Sequence, residues 1–336
     1  MSAAETASPF DDVRALVAKH AEPDADAAAK VRARLSEIAR EGDFGKLGEA
    51  AAWLAGWQRR APPRIENPTL AMFAGAHGVA EQGVSITSQQ STREQVDALR
   101  EGRAPLSAIA TQVGVNIRVF ELALDKPTPS IAEQPAMSEK ECAATIAFGF
   151  EALAGEPDIV ALGVVGAGIG TTAAALACAL YGGSPEYWVK PAPGAPPELA
   201  AQRSAVVSKA LARHRGHITD PLETLRCLGG REIAACVGAI IAAGHQGVPV
   251  LVDGFATTIA AGIVHALNPN AIRHVRAAHV TKRPSHDAAL ERVGLEPLLN
   301  LGFQSGGGLG STTAVGVLKA ACAPFIAKPA GDAAAT

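Results

Sequence analysis

Between residues 11 and 60, apolar positions recur three or four apart in "DDVRALVAKH", "AAAKVRARLSEIAR" and "GEAAAWLAGWQRR", the spacing of helices with one buried face. From "NPTLAMFAGAHGVA" onward the pattern changes. Short apolar runs end in glycine-containing turns and pass into alanine-rich helical stretches, as in "VNIRVFELAL", "DIVALGVVGAGIGTTAAALACAL", "VPVLVDGFATTIAAGIVHAL" and "IRHVRAAHV". Strand, tight loop and helix in repetition predict an α/β fold, a doubly wound and mostly parallel sheet with helices on both faces. The proline-rich segment "KPAPGAPPELAAQ", residues 190–202, reads as a surface excursion, and the tail "PAGDAAAT" as disordered.

Composition narrows the possible ligands. The chain of 336 residues is 48% hydrophobic but only 4% aromatic, and its formal charge of −3 comes with no basic cluster. Nucleic acid and acidic membrane surfaces are therefore unexpected partners, and small molecules are favoured. Five widely spaced cysteines in alanine-rich surroundings read as buried free thiols. The N-terminus lacks a basic stretch followed by an apolar one, and the most apolar segments are interrupted by glycine, so a cytoplasmic location is expected. No metal or other cofactor is called for.

In a parallel sheet, ligands bind at the carboxyl ends of the strands, and four loops lie there. The first carries His77 in "AGAHGVA", either a proton-transferring group or a ring fixed by local hydrogen bonds. The second, "GVVGAGIGTT", places Gly166, Gly168 and Gly170 before Thr171 and Thr172 at a helix start. There, backbone N–H groups and hydroxyls suit a phosphate, or the glycines serve close strand–helix packing. The third has Asp253 and Gly254 at a strand end, with Asp253 expected to cap the helix that follows. The fourth, "GFQSGGGLGSTT", sets Gly306, Gly307 and Gly308 before another Ser/Thr helix start.

Together these loops resemble the nicotinate-nucleotide:dimethylbenzimidazole phosphoribosyltransferase family. "FAGAHGVAEQGVS" is similar to the family's F-A-G-D-H-G-V…G-V-S, and "DPLETLRCLGGREIAA" to its D-P-L-E-x-L-R-x-L-G-G-R-E-I-A-A. "VDGFATTIAAG", "HVTKRPSH" and "EPLLNLGFQSGGGLGS" are similar to its D-G-F, G-H-x-S-x-E-x-G-H and P-L-L-D-L-G-M-R-L-G-E-G-T-G-A. The resemblance implies a Rossmann-like domain, a smaller helical domain and a homodimer. Residues 1–66 would contribute to the small domain, 67–327 would form the ligand-binding domain and 328–336 the tail. It also implies that a benzimidazole nitrogen attacks C1′ of nicotinate mononucleotide, displacing nicotinate and giving an α-ribotide for cobalamin assembly. Phosphate and nucleotide would lie on Gly166, Gly168, Gly170, Thr171, Thr172, Arg203, Gly306 and Gly308, and the base on Ser85, Gln304 and Ser305. Asp253 and Gly254 would support the site.

The chain departs from the family pattern at these loops. The family's proton-accepting Glu is Gly307, and three further acidic positions read Ala76, Val164 and Arg283. The family's N-T-T after the first phosphate loop reads Ile169, Gly170 and Thr171, and a family Lys reads Arg203. His77, His279 and His286 stand at family histidine positions and are candidate substitute bases. A non-catalytic paralogue, binding ligand or pairing with an active family member, is the alternative reading. A nicotinamide-dependent oxidoreductase, suggested by "GVVGAGIG" alone, is a third.

Overall fold

A computed structural model describes residues 8–40, 43–191 and 193–326; the predicted tail lies outside them. Three helices come first, α1 (Pro9–Ala18), α2 (Ala25–Ile38) and α3 (Gly45–Gln58). Next are β1 (Pro68–Ala74), α4 (Gln89–Arg100), α5 (Pro105–Val113), β2 (Asn116–Glu121), α6 (Glu139–Phe148) and β3 (Ile159–Val165). The chain continues through α7 (Ile169–Tyr181), α8 (Pro185–Trp188), α9 (Pro197–His214), α10 (Pro221–Leu228), α11 (Arg231–Gln246) and β4 (Val250–Asp253). It closes with α12 (Phe255–Leu267), β5 (Val275–His279), α13 (Pro284–Val293), β6 (Pro297–Leu299) and α14 (Leu309–Ile326).

All six strands are parallel, in the order β2-β1-β3-β4-β5-β6. The expected α/β class and doubly wound architecture are therefore present. Alternate residues of one strand serve opposite faces, as a two-residue period requires. Ala71 and Phe73 of β1, with Val160 and Leu162 of β3, pack under α7, α11 and α12. Leu70 and Met72, with Ile159 and Ala161, pack under α3, α5 and α14. Because both faces are covered, β1 is buried at every position.

Two sequence expectations change in detail. The excursion predicted for 190–202 ends at residue 196, because Pro197 occupies the first turn of α9, where a proline needs no N–H partner. Helix α14, at 18 residues, is long and apolar enough to cross a bilayer. In the fold, Ala314, Val315, Leu318 and Cys322 of this helix are buried in the core cluster it shares with the sheet. All five cysteines are free and buried.

Helix α11 is the central helix of its face, and α6 crosses it closely. A Cβ on Gly238 would run into the Ile146 carbonyl, and one on Gly149 into that of Ala235. Beside the far end of α11, His274 is 1% exposed, and its Nε2–H donates to Ile240 O at 2.9 Å. Burial pushes this imidazole down to about 4, with His20 and His245 adding to the shift. The unfolded chain then binds this proton more readily than the native state. Stability from this group is complete above about pH 6.5 and is lost as pH falls toward 4. Urea unfolding at pH 7 and pH 4.5 is expected to differ by about 2–3 kcal/mol more in the wild type than in His274→Gln. Equal pH dependence in the two proteins would refute this.

Candidate functional site

The strand order reverses between β1 and β3, so the loops that follow them open a crevice at the carboxyl edge of the sheet. These loops are in close contact. Gly75 N–H donates to Val165 O at 3.0 Å, and a Cβ on Gly166 would lie 2.7 Å from Gly75 O. Glycine at 166 is thus required by approach of the neighbouring backbone. The crevice widens into a cavity of about 570 Å³, within the roughly 300–1,000 Å³ of small-molecule sites.

Segments distant in the sequence build its walls. Ser85, Thr87, Thr92 and Gln95 come from the β1–α4 connection and α4, and Gly166, Gly168 and Gly170 from the turn into α7. The segment before α9 adds Pro191, Pro193 and Gly194, and α9 itself adds Arg203. Asp253 ends β4 with Gly254 and Phe255 after it, Thr281 and Arg283 follow β5, and Gln304 through Gly307 close the far side. Thr92 also fixes the loop after β3, its Oγ1 accepting Ala167 N–H at 3.1 Å.

The sequence-predicted residues divide between this wall and the layer behind it. Ser85, Gly166, Gly168, Gly170, Arg203, Asp253, Gly254, Gln304, Ser305, Gly306 and Gly307 line the cavity. Thr171 and Thr172 are fully buried outside it, and the Thr172 hydroxyl donates to Ile169 O at 2.9 Å inside its own helix. Gly308 faces β1, where a Cβ would stand 2.9 Å from Leu70 and Met72 side-chain carbons. The two threonine hydroxyls therefore offer nothing to the cavity.

His77, His279 and His286 are buried behind the wall, and none lines the cavity. His77 Nε2 lies 2.9 Å from Glu232 Oε1, without the alignment of a hydrogen bond. Glu232, on the first turn of α11, sits among glycines. A Cβ at Gly75 would collide with its carboxylate, and one at Gly230 with the His77 ring. His286 Nδ1 accepts Thr281 N–H at 3.1 Å, and its Nε2 contacts Thr258 Oγ1 at 3.1 Å. Because Nδ1 accepts, this ring is neutral; burial, with His279 and Arg283 nearby, pushes it down to about 3. With its lone pair engaged, His286 has no free nitrogen to offer as a base.

Asp253 does not cap the helix that follows it. A register shift in β4 turns its carboxylate toward β5, where Oδ1 lies 2.8 Å from His279 Nδ1. Its Oδ2 accepts Gly310 N–H at 3.0 Å, at the start of α14. The side chain thus ties the fourth loop to the sheet. No side chain caps the helix behind Asp253, while Thr257 Oγ1 accepts Asp253 N–H at 2.8 Å. The expectation failed because the carboxylate's partner lies 57 residues away in the chain.

The glycine run at 306–308 has a different constraint at each position. A Cβ at Gly306 would collide with the Asp253 backbone oxygen, and at Gly308 the φ is +91° with β1 side chains close by. At Gly307 the space is open, since the nearest atom to a built Cβ is Val164 O at 3.9 Å, but φ is +113°. Backbone conformation, not crowding, is what favours glycine there. Of the four positions where the family resemblance calls for an acid, Val164, Arg283 and Gly307 share this cavity wall, whereas Ala76 does not reach it. Among the described residues the wall holds one carboxylate, Asp253, and two guanidinium groups, Arg203 and Arg283.

Known proteins similar in sequence and fold carry a consistent description. The sequence profile described as phosphoribosyltransferase matches residues 20–332. Over 316 residues the chain is 46% identical to the nicotinate-nucleotide–dimethylbenzimidazole phosphoribosyltransferase of Sinorhizobium medicae, covering 94% of this chain and 93% of that protein. It is 44% identical over 314 residues to the protein of the same name from Brucella canis, covering 93% of each. The crystal structure of the Thermus thermophilus protein of that name superposes with a TM-score of 0.81 at 30% identity, over 89% of this chain and 95% of that one.

Proposed function

Because the chain belongs to the nicotinate-nucleotide–dimethylbenzimidazole phosphoribosyltransferase family, we propose that it transfers phosphoribose from nicotinate mononucleotide to a benzimidazole-type base. The product is an α-ribotide for cobalamin nucleotide-loop assembly. The observation that carries this reading is the convergence of both glycine loops, 166–170 and 304–307, on one cavity with two guanidinium groups in its wall. Phosphate is held at the first turn of α7, where the helix dipole favours an anion, although Ile169 and Thr171 N–H already donate to Gly166 O and Gly168 O inside the turn. Ser85, Gln304 and Ser305 hold the base on the opposite side. The protein works as a cytoplasmic homodimer.

Transfer does not demand a general base before bond formation. A neutral azole nitrogen presents a lone pair to C1′, the C1′–N bond to nicotinate breaks, and its electron pair neutralises the pyridinium. The azole then carries the positive charge, which acidifies its remaining N–H, and the proton passes to water in the cavity. A positioned base typically accelerates such a proton loss by about 10²–10⁴-fold. Asp253 accepts Gly310 N–H and faces His279 without the alignment of a hydrogen bond, and the reaction here runs by proximity and orientation.

Incubation of the full chain with nicotinate mononucleotide and 5,6-dimethylbenzimidazole is expected to yield α-ribazole phosphate, detected by mass spectrometry. Absence of product after prolonged incubation with micromolar protein would overturn the assignment in favour of a ligand-binding, non-catalytic role.

A further inference from the structure

Arg203 and Arg283 are cations without a carboxylate partner among the described residues. Arg203, in α9, is 7% exposed; its Nε donates to Val84 O at 2.7 Å, while its buried Nη1 has no partner. Arg283 precedes α13, and its guanidinium lies over the Phe255 ring, 5.3 Å from the centroid. Both line the one cavity, beside the first turn of α7. Burial pushes Arg283 down to about 10, and the nearby charge of Arg203 adds to that shift.

Arg283 touches the helix at one residue. A Cβ on Gly170 would stand 2.9 Å from Arg283 Nη2 and 3.2 Å from Nη1. Gly170 is the second residue of α7 and has no positive φ, so helix geometry does not call for glycine there. A helical glycine in place of alanine costs roughly 1 kcal/mol, and the guanidinium contact supplies the reason to keep it. Two departures from the family motifs thus meet in space. Ile169 and Gly170 stand where the family has Asn and Thr, and Arg283 stands where it has Glu.

The geometry points to Arg283 as a phosphate ligand particular to this chain, filling the room opened at Gly170 and replacing the side-chain donors absent at 169 and 170. With Arg203 and the α7 N-terminus it forms a three-sided clamp for a phosphomonoester dianion. This rests on the proposed phosphoribosyl donor, and binding tests it separately from turnover. A guanidinium offers parallel N–H groups to two phosphate oxygens, which a lysine in that position does not reproduce.

Calorimetric binding of nicotinate mononucleotide and of its dephosphorylated riboside to the full chain separates the contributions. Arg283→Gln is expected to weaken the nucleotide roughly 10- to 100-fold and the riboside less than about 3-fold. Arg283→Lys should fall between wild type and Arg283→Gln. Gly170→Ala, which leaves Arg283 in place, adds no donor and sets a methyl 2.9 Å from its Nη2, is expected to show the same selective loss. Urea midpoints establish that each variant is folded. Equal weakening of both ligands, no weakening of either, or a wild type that does not prefer the phosphorylated form overturns the clamp. Tight, Arg283-dependent nucleotide binding without product would overturn the proposed transfer but leave the clamp standing.

Discussion

Asp253→Ala is expected to destabilise the protein by about 1–3 kcal/mol and to lower turnover by about 10²-fold or more. Asp253 is 1% exposed and His279 is fully buried, so the substitution leaves an imidazole without its carboxylate partner in the interior. It also frees Gly310 N–H at the first turn of α14. That turn ends the loop carrying Gln304 through Gly307, and the loop forms one wall of the cavity. A displacement of about 1 Å there is enough for the loss in rate. Asp253→Asn keeps an acceptor for Gly310 N–H and removes the charge, so it should lose stability but retain more of the loop geometry. Guanidinium unfolding and kcat for the three proteins check this; wild-type stability in Asp253→Ala would refute the tether.

Gly307→Glu is expected to raise kcat by about 10²–10⁴-fold while costing about 1–3 kcal/mol of stability. The space beyond a Cβ at this position is open and faces the cavity, so a carboxylate there enters the proposed binding space. The cost comes from φ of +113°, which an L side chain rarely adopts. Gly307→Ala carries the same backbone strain without the carboxylate, and should lose stability with no gain in rate. Unchanged kcat in Gly307→Glu, with the variant folded, would exclude this position as the place of a proton acceptor. The rate gain should appear as a new ionisation in the acid limb of the pH profile, since the added carboxylate must be deprotonated to act.

Some of the site was readable along the chain because its determinants are local. "GVVGAGIG" before an alanine-rich helix announces a tight strand-to-helix turn from local sequence alone. The strands showed themselves as short apolar runs ending in glycine, since burial on both faces leaves no polar alternation. Thr171 and Thr172 show the limit of such reasoning: a hydroxyl at a helix start looks available, but its direction depends on which face of α7 the sheet covers. The partnership of Glu232 with His77 was equally hidden. "LGGREIAA" reads as framework, and only the approach of Gly75 and Gly230 around the carboxylate reveals a buried pair.

The sequence by itself determined the α/β class, the succession of strands and helices, the four loops at the strand ends and the family, since periodicity and turn chemistry act over a few residues and family motifs are linear. The tertiary structure alone decided which loops share a cavity, because strand order follows from packing the whole sheet. It put Gly170 against Arg283, tied Asp253 to Gly310, and withdrew three histidines behind the wall. At Gly307 both contributed: the motif located the position, and the backbone angle showed that conformation, with space to spare, is what keeps a side chain out.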